Sequence, residues 1–243
     1  MLKIKMTIVC IVTRYNEYID WIDCIISKID SLIIYNKGSN DNYFNLLKLT
    51  PEQQSKITFI KLDNIGRIDH TLAYYIVNNW ENLPDVLINL PASILMCYKK
   101  GAYLSMIMKN LKNLNNLNNV NNVNNLKTFN GFYAPRFHKV GLDFNYSIDK
   151  YQAEGRCNKN DNLFIKSEYS SFQDWKRAII DTHDMKYLAM RGMFMICREN
   201  IKHISLDVYN NLLTSLSVGD NIENGHFAER IWAHLFTQKP KHN

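Results

Sequence analysis

The sequence lacks any long apolar segment. No run approaches the roughly 18–20 apolar residues that a membrane-spanning helix needs. The segment 1–12 carries two lysines before a short apolar run, as a signal peptide does, but no small-residue cleavage site follows it. We interpret this segment as a first β-strand, and we expect no membrane span and a cytoplasmic location.

Cysteine and glycine are scarce, and neither forms a familiar motif. The five cysteines include no CxxC pair, and their odd number and wide separation favour reduced, mostly buried thiols over a zinc site. They are Cys10, Cys24, Cys97, Cys157 and Cys197. The nine glycines form neither a GxGxxG fingerprint nor a P-loop, and HExxH and GxSxG are also missing. The chain therefore lacks the common signatures of dinucleotide-binding, P-loop, zinc-protease and serine-hydrolase domains.

A strong charge of one sign is also missing. With 29 basic and 23 acidic residues, the formal net charge is +6 at pH 7. This is far from the dense lysine and arginine striping of nucleic-acid-binding proteins, so we expect no nucleic-acid partner. A mild positive charge suits a ligand that carries phosphate. Hydrophobic residues at 46% and charged residues at 21% are ordinary for a soluble globular protein.

The first 95 residues alternate between strand-like and helix-like patterns. Continuous β-branched apolar runs are typical of strands buried on both faces, and apolar residues at helical spacing predict helices. We predict strands at Met6–Val12, Ser31–Tyr35, Ile57–Leu62 and Asp85–Leu90, and helices at Glu17–Ile29, capped by Asn16, and at Thr71–Trp80. This order predicts an α/β protein with a mostly parallel sheet flanked by helices.

The second half is less regular. Between Leu111 and Leu126, apolar residues recur at every third position among asparagines, a period that fits neither helix nor strand. We interpret this stretch as an insert that lengthens a helix or a surface loop. Residues 129–175 are loop-rich and carry many aromatic and basic side chains, which suits an acceptor-binding surface. A strand at Leu188–Cys197 and helices at Leu206–Leu216 and Gly225–Phe236 follow.

Polar residues at the end of the first strand form one candidate site. Thr13, Arg14, Tyr15 and Asn16 stand where this strand turns into a helix. In an open α/β sheet, ligands bind at this carboxyl edge. An arginine there can bind phosphate oxygens, and a helix N-terminus adds N–H donors. The alternative is a surface arginine beside an asparagine that only caps the helix.

A second candidate site precedes the helix at Thr71. Gly66 permits close approach of a backbone, and Arg67 and His70 can contact a pyrophosphate or a ribose. The alternative is a solvated helix start with Asp69 as its N-cap.

A third candidate site lies on the last helix. His226, Glu229 and Arg230 share one helical face, where a neutral histidine beside a carboxylate can hold a divalent metal or orient a phosphate. The alternative is an ion pair that only fixes the helix. Asp174 and Glu168 are further candidates for a general base, although most loop carboxylates are simply solvated.

Six short motifs, taken in order, resemble one family. They are Arg14–Glu17, Tyr35–Gly38, Asn64–Arg67 with His70, Leu83–Asp85, Arg191–Phe194 and Gly225–Trp232. Together they are similar to a large family of fungi, bacteria and large DNA viruses that is catalogued as a domain of unknown function, number 3431. Some viral relatives resemble GT-A-fold glycosyltransferases that act on viral glycans. The resemblance covers nearly the whole chain, apart from the asparagine-rich insert and the region up to about Trp175.

The resemblance implies a single GT-A-like domain with a Rossmann-like sheet, and a role for each motif. The domain spans residues 1–240, with a nucleotide-binding half at 1–95, the insert at 111–126 and an acceptor half at 129–240. The nucleotide-sugar site it implies contains Thr13, Arg14, Tyr15, Asn16, Asn36, Lys37, Arg67, His70, Arg191 and Gly192. His226 falls where GT-A enzymes often place a metal ligand, and Glu229 lies near where inverting members keep a catalytic carboxylate. Asp174, outside the resemblance, is our second choice for this carboxylate. Asn89 stands where an acidic Asp-x-Asp metal motif is expected, and it supplies no charge.

We therefore predict a glycosyltransferase that moves a sugar from a nucleoside-diphosphate sugar to a hydroxyl of a glycan or protein acceptor. The resemblance implies Mn²⁺ or Mg²⁺ as cofactor, and the missing Asp-x-Asp motif leaves metal dependence open. Two alternatives stay open: a catalytically inactive nucleotide-sugar or glycan-binding module, and a structural virus-particle protein that keeps the fold. A viral origin implies the host cytoplasm or the virus particle as its location.

Overall fold

The computed structural model describes residues 6–41, 49–95, 98–117, 131–141, 144–148, 164–181 and 185–238. Its strands are β1 (Ile8–Arg14), β2 (Ser31–Asn36), β3 (Ile57–Lys61), β4 (Val86–Pro91), β5 (Phe132–Tyr133), β6 (Phe137–Lys139), β7 (Tyr187–Ala189) and β8 (Phe194–Cys197). Its helices are α1 (Asp23–Ile26), α2 (Pro51–Ser55), α3 (Arg67–Asn78), α4 (Tyr98–Leu117), α5 (Phe172–Ile180), α6 (Arg198–Lys202), α7 (Leu206–Leu216) and α8 (Glu223–Thr237). Short 3₁₀ turns lie at Asp20–Ile22, Trp80–Asn82 and Ala92–Leu95.

Six of these strands form one sheet in the order β3-β2-β1-β4-β8-β5. The strands from β3 to β4 are parallel to one another, while β8 runs antiparallel to both β4 and β5. A separate two-stranded sheet pairs β6 with β7. The prediction of an α/β protein with a mostly parallel sheet is therefore confirmed.

A hydrophobic core covers each face of the large sheet, because alternate strand residues point to opposite sides. On the first face, Ile11 and Leu87 pack with α3, α5, α7 and α8. On the second face, Cys10, Val12 and Ile88 pack with the segment 19–29 and with α4. The molecule is thus built as helices on both sides of a central sheet.

Two of the free cysteines are part of the second core. Cys10 and Cys197 are fully buried, and burial raises the pKa of both thiols above its ordinary value. Cys24 is exposed, and Cys97 and Cys157 lie outside the described residues. Within the described ranges, no helix has the length and apolarity needed to cross a membrane.

Several element predictions need correction. The helix predicted at Glu17–Ile29 is only a 3₁₀ turn followed by the four-residue α1. Asn16 does not cap it, because the cap position of the 3₁₀ turn is Ile19. The predicted strand at Leu188–Cys197 is interrupted, since Arg191 and Gly192 both have positive φ angles (75° and 60°).

The third helix also begins earlier than predicted. Its N-cap is Gly66, with a left-handed φ of 57°, so Asp69 lies inside the first turn and is not the cap. The period-three insert extends α4 as far as Leu117, and its remainder lies outside the described residues. Much of the predicted loop region 129–175 also lies outside them.

Candidate functional site

The site begins at the point where the strand order of the sheet reverses. From β1, the chain builds outward through β2 and β3 on one side, and β4 lies on the other side. Because β1 and β4 are parallel neighbours, the loops that follow them leave the sheet side by side at the same edge. In open α/β sheets, such a switch point at the carboxyl ends of the strands is where ligands bind.

A cleft of about 530 Å³ lies at this switch point, and we call it the switch-point cleft. Its walls come from the loop after β1 and from the turn after β4. They are Tyr15, Asn16, Glu17, Tyr18, Asp20 and Trp21 from the first, and Ala92 and Leu95 from the second. The indole Nε1 of buried Trp21 donates to the carbonyl of Ala92 at 3.0 Å, and this hydrogen bond joins the two walls.

Aromatic faces dominate the opening of the switch-point cleft. Tyr15 is 55% exposed and Tyr18 is 71% exposed, which is unusual for large rings. Exposed aromatic rings can stack on a flat ring of a ligand, and carboxylates beside them, such as Asp20, can accept hydrogen bonds from its hydroxyl groups. The cleft is thus suited to a nucleoside or a sugar.

Arg14, at the end of β1, binds the loops after β1 and β2 to each other. It is 1% exposed, although a guanidinium is rarely buried. Its Nε donates to the carbonyl of Glu17 at 2.8 Å, and its Nη1 donates to Asn36 Oδ1 and to the carbonyl of Asn40, both at 2.8 Å. The guanidinium therefore fixes the positions of the two loops relative to each other.

The loop after β2 is fitted tightly against Asn16. The Oδ1 of Asn16 accepts from the backbone N–H of Asn40 at 2.8 Å, and Asn16 has a positive φ of 63°. A Cβ on Gly38 would lie 2.2 Å from this same Oδ1, so only glycine fits there. Asn36 accepts from the N–H of Gly38 at 3.1 Å. This loop thus packs against Asn16, which lines the switch-point cleft.

From the same loop, Lys37 reaches toward the start of α3. Its side chain is 5% exposed, and its Nζ donates to the carbonyls of Ile65 and of Arg67, the latter at 2.7 Å. Burial lowers the pKa of Lys37 to about 7, and the charge of Asp69 acts in the opposite direction. Lys37 therefore links the predicted first and second sites.

Asp69 and His70 are buried in the first turn of α3, each 5% exposed. Trp232 of α8 donates its Nε1–H to Asp69 at 2.7 Å. Burial and the negative charge of Glu229 raise the pKa of Asp69 to about 7. Burial and the charge of Lys37 lower the pKa of His70 to about 4.

The third predicted site belongs to the same surroundings. Burial and the positive charges of Arg67 and Arg230 lower the pKa of His226 to about 4. The Nη1 of Arg230 contacts a carboxylate oxygen of Glu229 at 3.2 Å, and its guanidinium lies 3.5 Å from the centre of the Tyr146 ring. Arg67 donates to Asn221 Oδ1 at 2.8 Å. The second and third predicted sites are thus one cluster of charges between α3 and α8.

A turn between β7 and β8 completes this region. The N–H of Arg191 donates to Glu229 Oε1, and the carbonyl of Gly192 accepts from Asn89 Nδ2 at 2.8 Å. A Cβ on Gly192 would lie 3.0 Å from Ile68 of α3. Arg191, Gly192, Asn89 and Glu229 are therefore brought together from distant parts of the chain.

Asp174 and Thr13 have different surroundings. Asp174 lies in the first turn of α5, where the hydroxyls of Ser170 and Ser171 donate to its carboxylate and lower its pKa. Its ion pair with Arg177 also lies within α5. The Oγ1 of Thr13, like Oδ1 of Asn89, is buried without a hydrogen-bond partner among the described residues.

The surroundings of the predicted metal ligands do not fit a divalent cation. His226 lies close to two arginines, and Asn89 offers only one uncharged amide oxygen. Mn²⁺ and Mg²⁺ prefer carboxylate and carbonyl oxygens. Among the described residues, no group of three or more His, Cys, Asp or Glu side chains could hold a metal ion. We derive no step through a metal.

Sequence reasoning missed part of this site. Tyr18, Asp20, Trp21 and Leu95 line the switch-point cleft but were not predicted. Asp69 was considered only as a helix cap. The available signal was the density of aromatic residues directly after the first strand, at an edge where ligands bind.

Comparisons with known proteins add no relative. A scan against protein-family models gives no match, and a search of curated proteins finds none either. The resemblance to family 3431 therefore stays a prediction.

Proposed function

We propose that this protein is a glycosyltransferase whose switch-point cleft binds the nucleoside of a nucleoside-diphosphate sugar. The observation that carries the proposal is the position of an aromatic-walled cleft at the carboxyl ends of β1 and β4. The volume of about 530 Å³ lies within the range of pockets that bind small molecules. We also propose that this α/β fold is GT-A-like.

The nucleoside would stack on the exposed rings of Tyr15 and Tyr18. Its hydroxyls would donate to carboxylate oxygens of Asp20 and Glu17, which both line the cleft. Asn16 supplies a polar edge at the back wall. These contacts use the functional groups of a base and a ribose without requiring a glycine-rich phosphate loop.

The chemistry needs positive charge where the diphosphate leaves. The acceptor oxygen attacks the anomeric carbon, the bond from that carbon to the diphosphate breaks, and its electron pair leaves with the diphosphate. Arg191 lies beside the end of β4, and Arg67 lies at the start of α3. Cationic groups that contact the diphosphate stabilise the charge that develops on this leaving group.

The proton of the acceptor hydroxyl must pass to a base. Glu229 and Asp174 stay the predicted carboxylates for this role. Glu229 lies next to the charge cluster and is 22% exposed, whereas Asp174 is 41% exposed and bonded to its own helix turn. The glycan or protein acceptor would approach from the half of the chain that contains both carboxylates.

The first experiment measures ligand binding at the switch-point cleft. We expect UDP or GDP, with or without Mn²⁺, to raise the Tm of the wild-type protein, and Tyr18→Ala to reduce this shift because one stacking face is lost. Stacking on one aromatic side chain contributes about 1–3 kcal/mol, so affinity should fall roughly tenfold. Phe59→Ala is the matched control, because Phe59 is an exposed ring on β3 outside the cleft lining (38% exposed).

A second experiment separates an enzyme from a binding module. The binding module is favoured by one observation: both carboxylate oxygens of Glu229 already accept hydrogen bonds. Slow release of diphosphate from UDP- or GDP-sugars supports the transferase. Binding without turnover supports the module, and no Tm shift with any nucleotide supports a purely structural protein.

A further inference from the structure

The turn at Arg191–Gly192 is held in an unusual backbone conformation by two distant side chains. Both residues have positive φ angles, and Arg191 is not a glycine. A non-glycine residue in this region costs about 1–3 kcal/mol and persists only where its surroundings enforce it. Such strain is typical of functional sites.

The surroundings that enforce the conformation lie on the first face of the sheet. Glu229 of α8 accepts the N–H of Arg191, and Asn89 of β4 donates to the carbonyl of Gly192 at 2.8 Å. Ile68 of α3 fills the space that a Cβ on Gly192 would need. Three elements therefore fix two consecutive peptide groups.

The side chain of Arg191 leaves the turn toward the second face. Its guanidinium lies 5.8 Å from the centre of the Tyr103 ring, on the helix that follows Leu95. Tyr103 packs on the same core as Trp21 and Ala92, which line the switch-point cleft. The turn thus joins the charge cluster on the first face to the second core, on which Trp21 and Ala92 of the cleft also pack.

We propose that Glu229 and Asn89 are positioning residues, which hold the Arg191–Gly192 turn so that the Arg191 guanidinium binds the diphosphate of the ligand in the switch-point cleft. This inference rests on the proposed function. It gives Glu229 a role through the backbone of Arg191, in which its carbonyl-like oxygen is required and its negative charge is not.

The test compares a nucleoside with its diphosphate, using uridine against UDP and guanosine against GDP in calorimetric titrations. We expect the wild-type protein to prefer the diphosphate. Arg191→Gly should reduce this preference at least tenfold, the loss expected for a charge-assisted hydrogen bond, and leave nucleoside affinity unchanged. Its Tm should stay the same or rise, because glycine adopts a positive φ without strain.

Two further variants separate positioning from folding. Glu229→Gln keeps an oxygen that accepts the N–H of Arg191 and should retain the diphosphate preference, whereas Glu229→Leu should lose it. Asp181→Gly is the control, because Asp181 also has a positive φ (46°) but ends α5. It should relieve strain in the same way without changing the preference.

The outcomes separate the two proposals. If the wild-type protein binds neither nucleosides nor their diphosphates, the proposed function and this inference fall together. If it prefers diphosphates and Arg191→Gly keeps the full preference, the proposed function stands and the inference is overturned. Loss of the preference in Glu229→Gln as well as in Glu229→Leu would also overturn the positioning role.

Discussion

Replacement of Asp69 by asparagine should stabilise the protein at neutral pH and not at acidic pH. Burial and the charge of Glu229 raise the pKa of this carboxyl from 3.8 to about 7. Ionising it inside the folded protein is therefore unfavourable. Asparagine has nearly the same shape, carries no charge and still accepts the hydrogen bond from Trp232.

Proton linkage gives the sign and the size of the change in the free energy of unfolding. Between pH 3.8 and about 7 the folded protein holds a proton on Asp69 that the unfolded chain has released, so the free energy of unfolding falls as the pH rises through this range. Each pH unit corresponds to about 1.4 kcal/mol, which gives about 4 kcal/mol over the whole range. We expect about 2–4 kcal/mol for Asp69→Asn at neutral pH, because Lys37 loses a nearby negative charge.

Urea denaturation followed by tryptophan fluorescence measures this difference at a series of pH values. The advantage of Asp69→Asn should be near zero at about pH 4 and reach its maximum above about pH 7. The buried His70 and His226 also titrate in the acidic range, but neither owes its pKa to Asp69, so their contributions cancel in the comparison. Asp207→Asn, at an exposed position of α7, is the matched control. A difference that does not change with pH would refute the reasoning.

Three further substitutions test the framework of the switch-point cleft, each by thermal or urea denaturation. Trp21→Phe removes the donor to the carbonyl of Ala92 and should cost about 1–3 kcal/mol; an unchanged Tm would contradict the bond between the two walls. Arg14→Met leaves three acceptors without their donor and should cost about 3–5 kcal/mol, and a stable variant would show that the loops hold without it. Gly38→Ala places a methyl group against Asn16 and should cost about 1–3 kcal/mol, whereas a neutral effect would mean that the loop relaxes freely.

The core of the fold was accessible from the sequence because its strands carry an unambiguous signal. The runs that became β1 and β4 are mostly apolar, as is expected for strands buried on both faces. The segment after β1 was harder to predict. Ile19, Ile22 and Ile26 are spaced as in a helix and are all buried, yet most of the segment forms tight turns, because tertiary packing overrides local propensity.

The interruption of the strand after Leu188 has a signal in the sequence, namely Gly192. An isolated glycine within a strand pattern indicates a bulge or a close backbone approach, and Gly192 has both the positive φ and the contact with Ile68. The partner of Arg191, by contrast, could not be predicted. Glu229 lies far along the chain, and only the packing of α8 against β7 and α3 brings it to the turn.

The position of the cleft could be predicted from the sequence, but most of its lining could not. The carboxyl end of β1 follows from the order of elements alone, and the switch-point cleft lies there. The burial of Arg14 could not be foreseen, because a charged side chain is rarely buried unless partners are supplied, and those partners come from a second loop. The same holds for Ala92 and Leu95, which reach the cleft only because β4 lies beside β1.

Alkylation of the two cysteines in the second core can measure how often this core opens. A thiol reacts as its thiolate, so Cys10 and Cys197, sealed against their neighbours, should resist an alkylating reagent while the fold is closed. Cys24 should be modified first, because it is exposed. The delay between the first and the later alkylations would then report how often the second core opens.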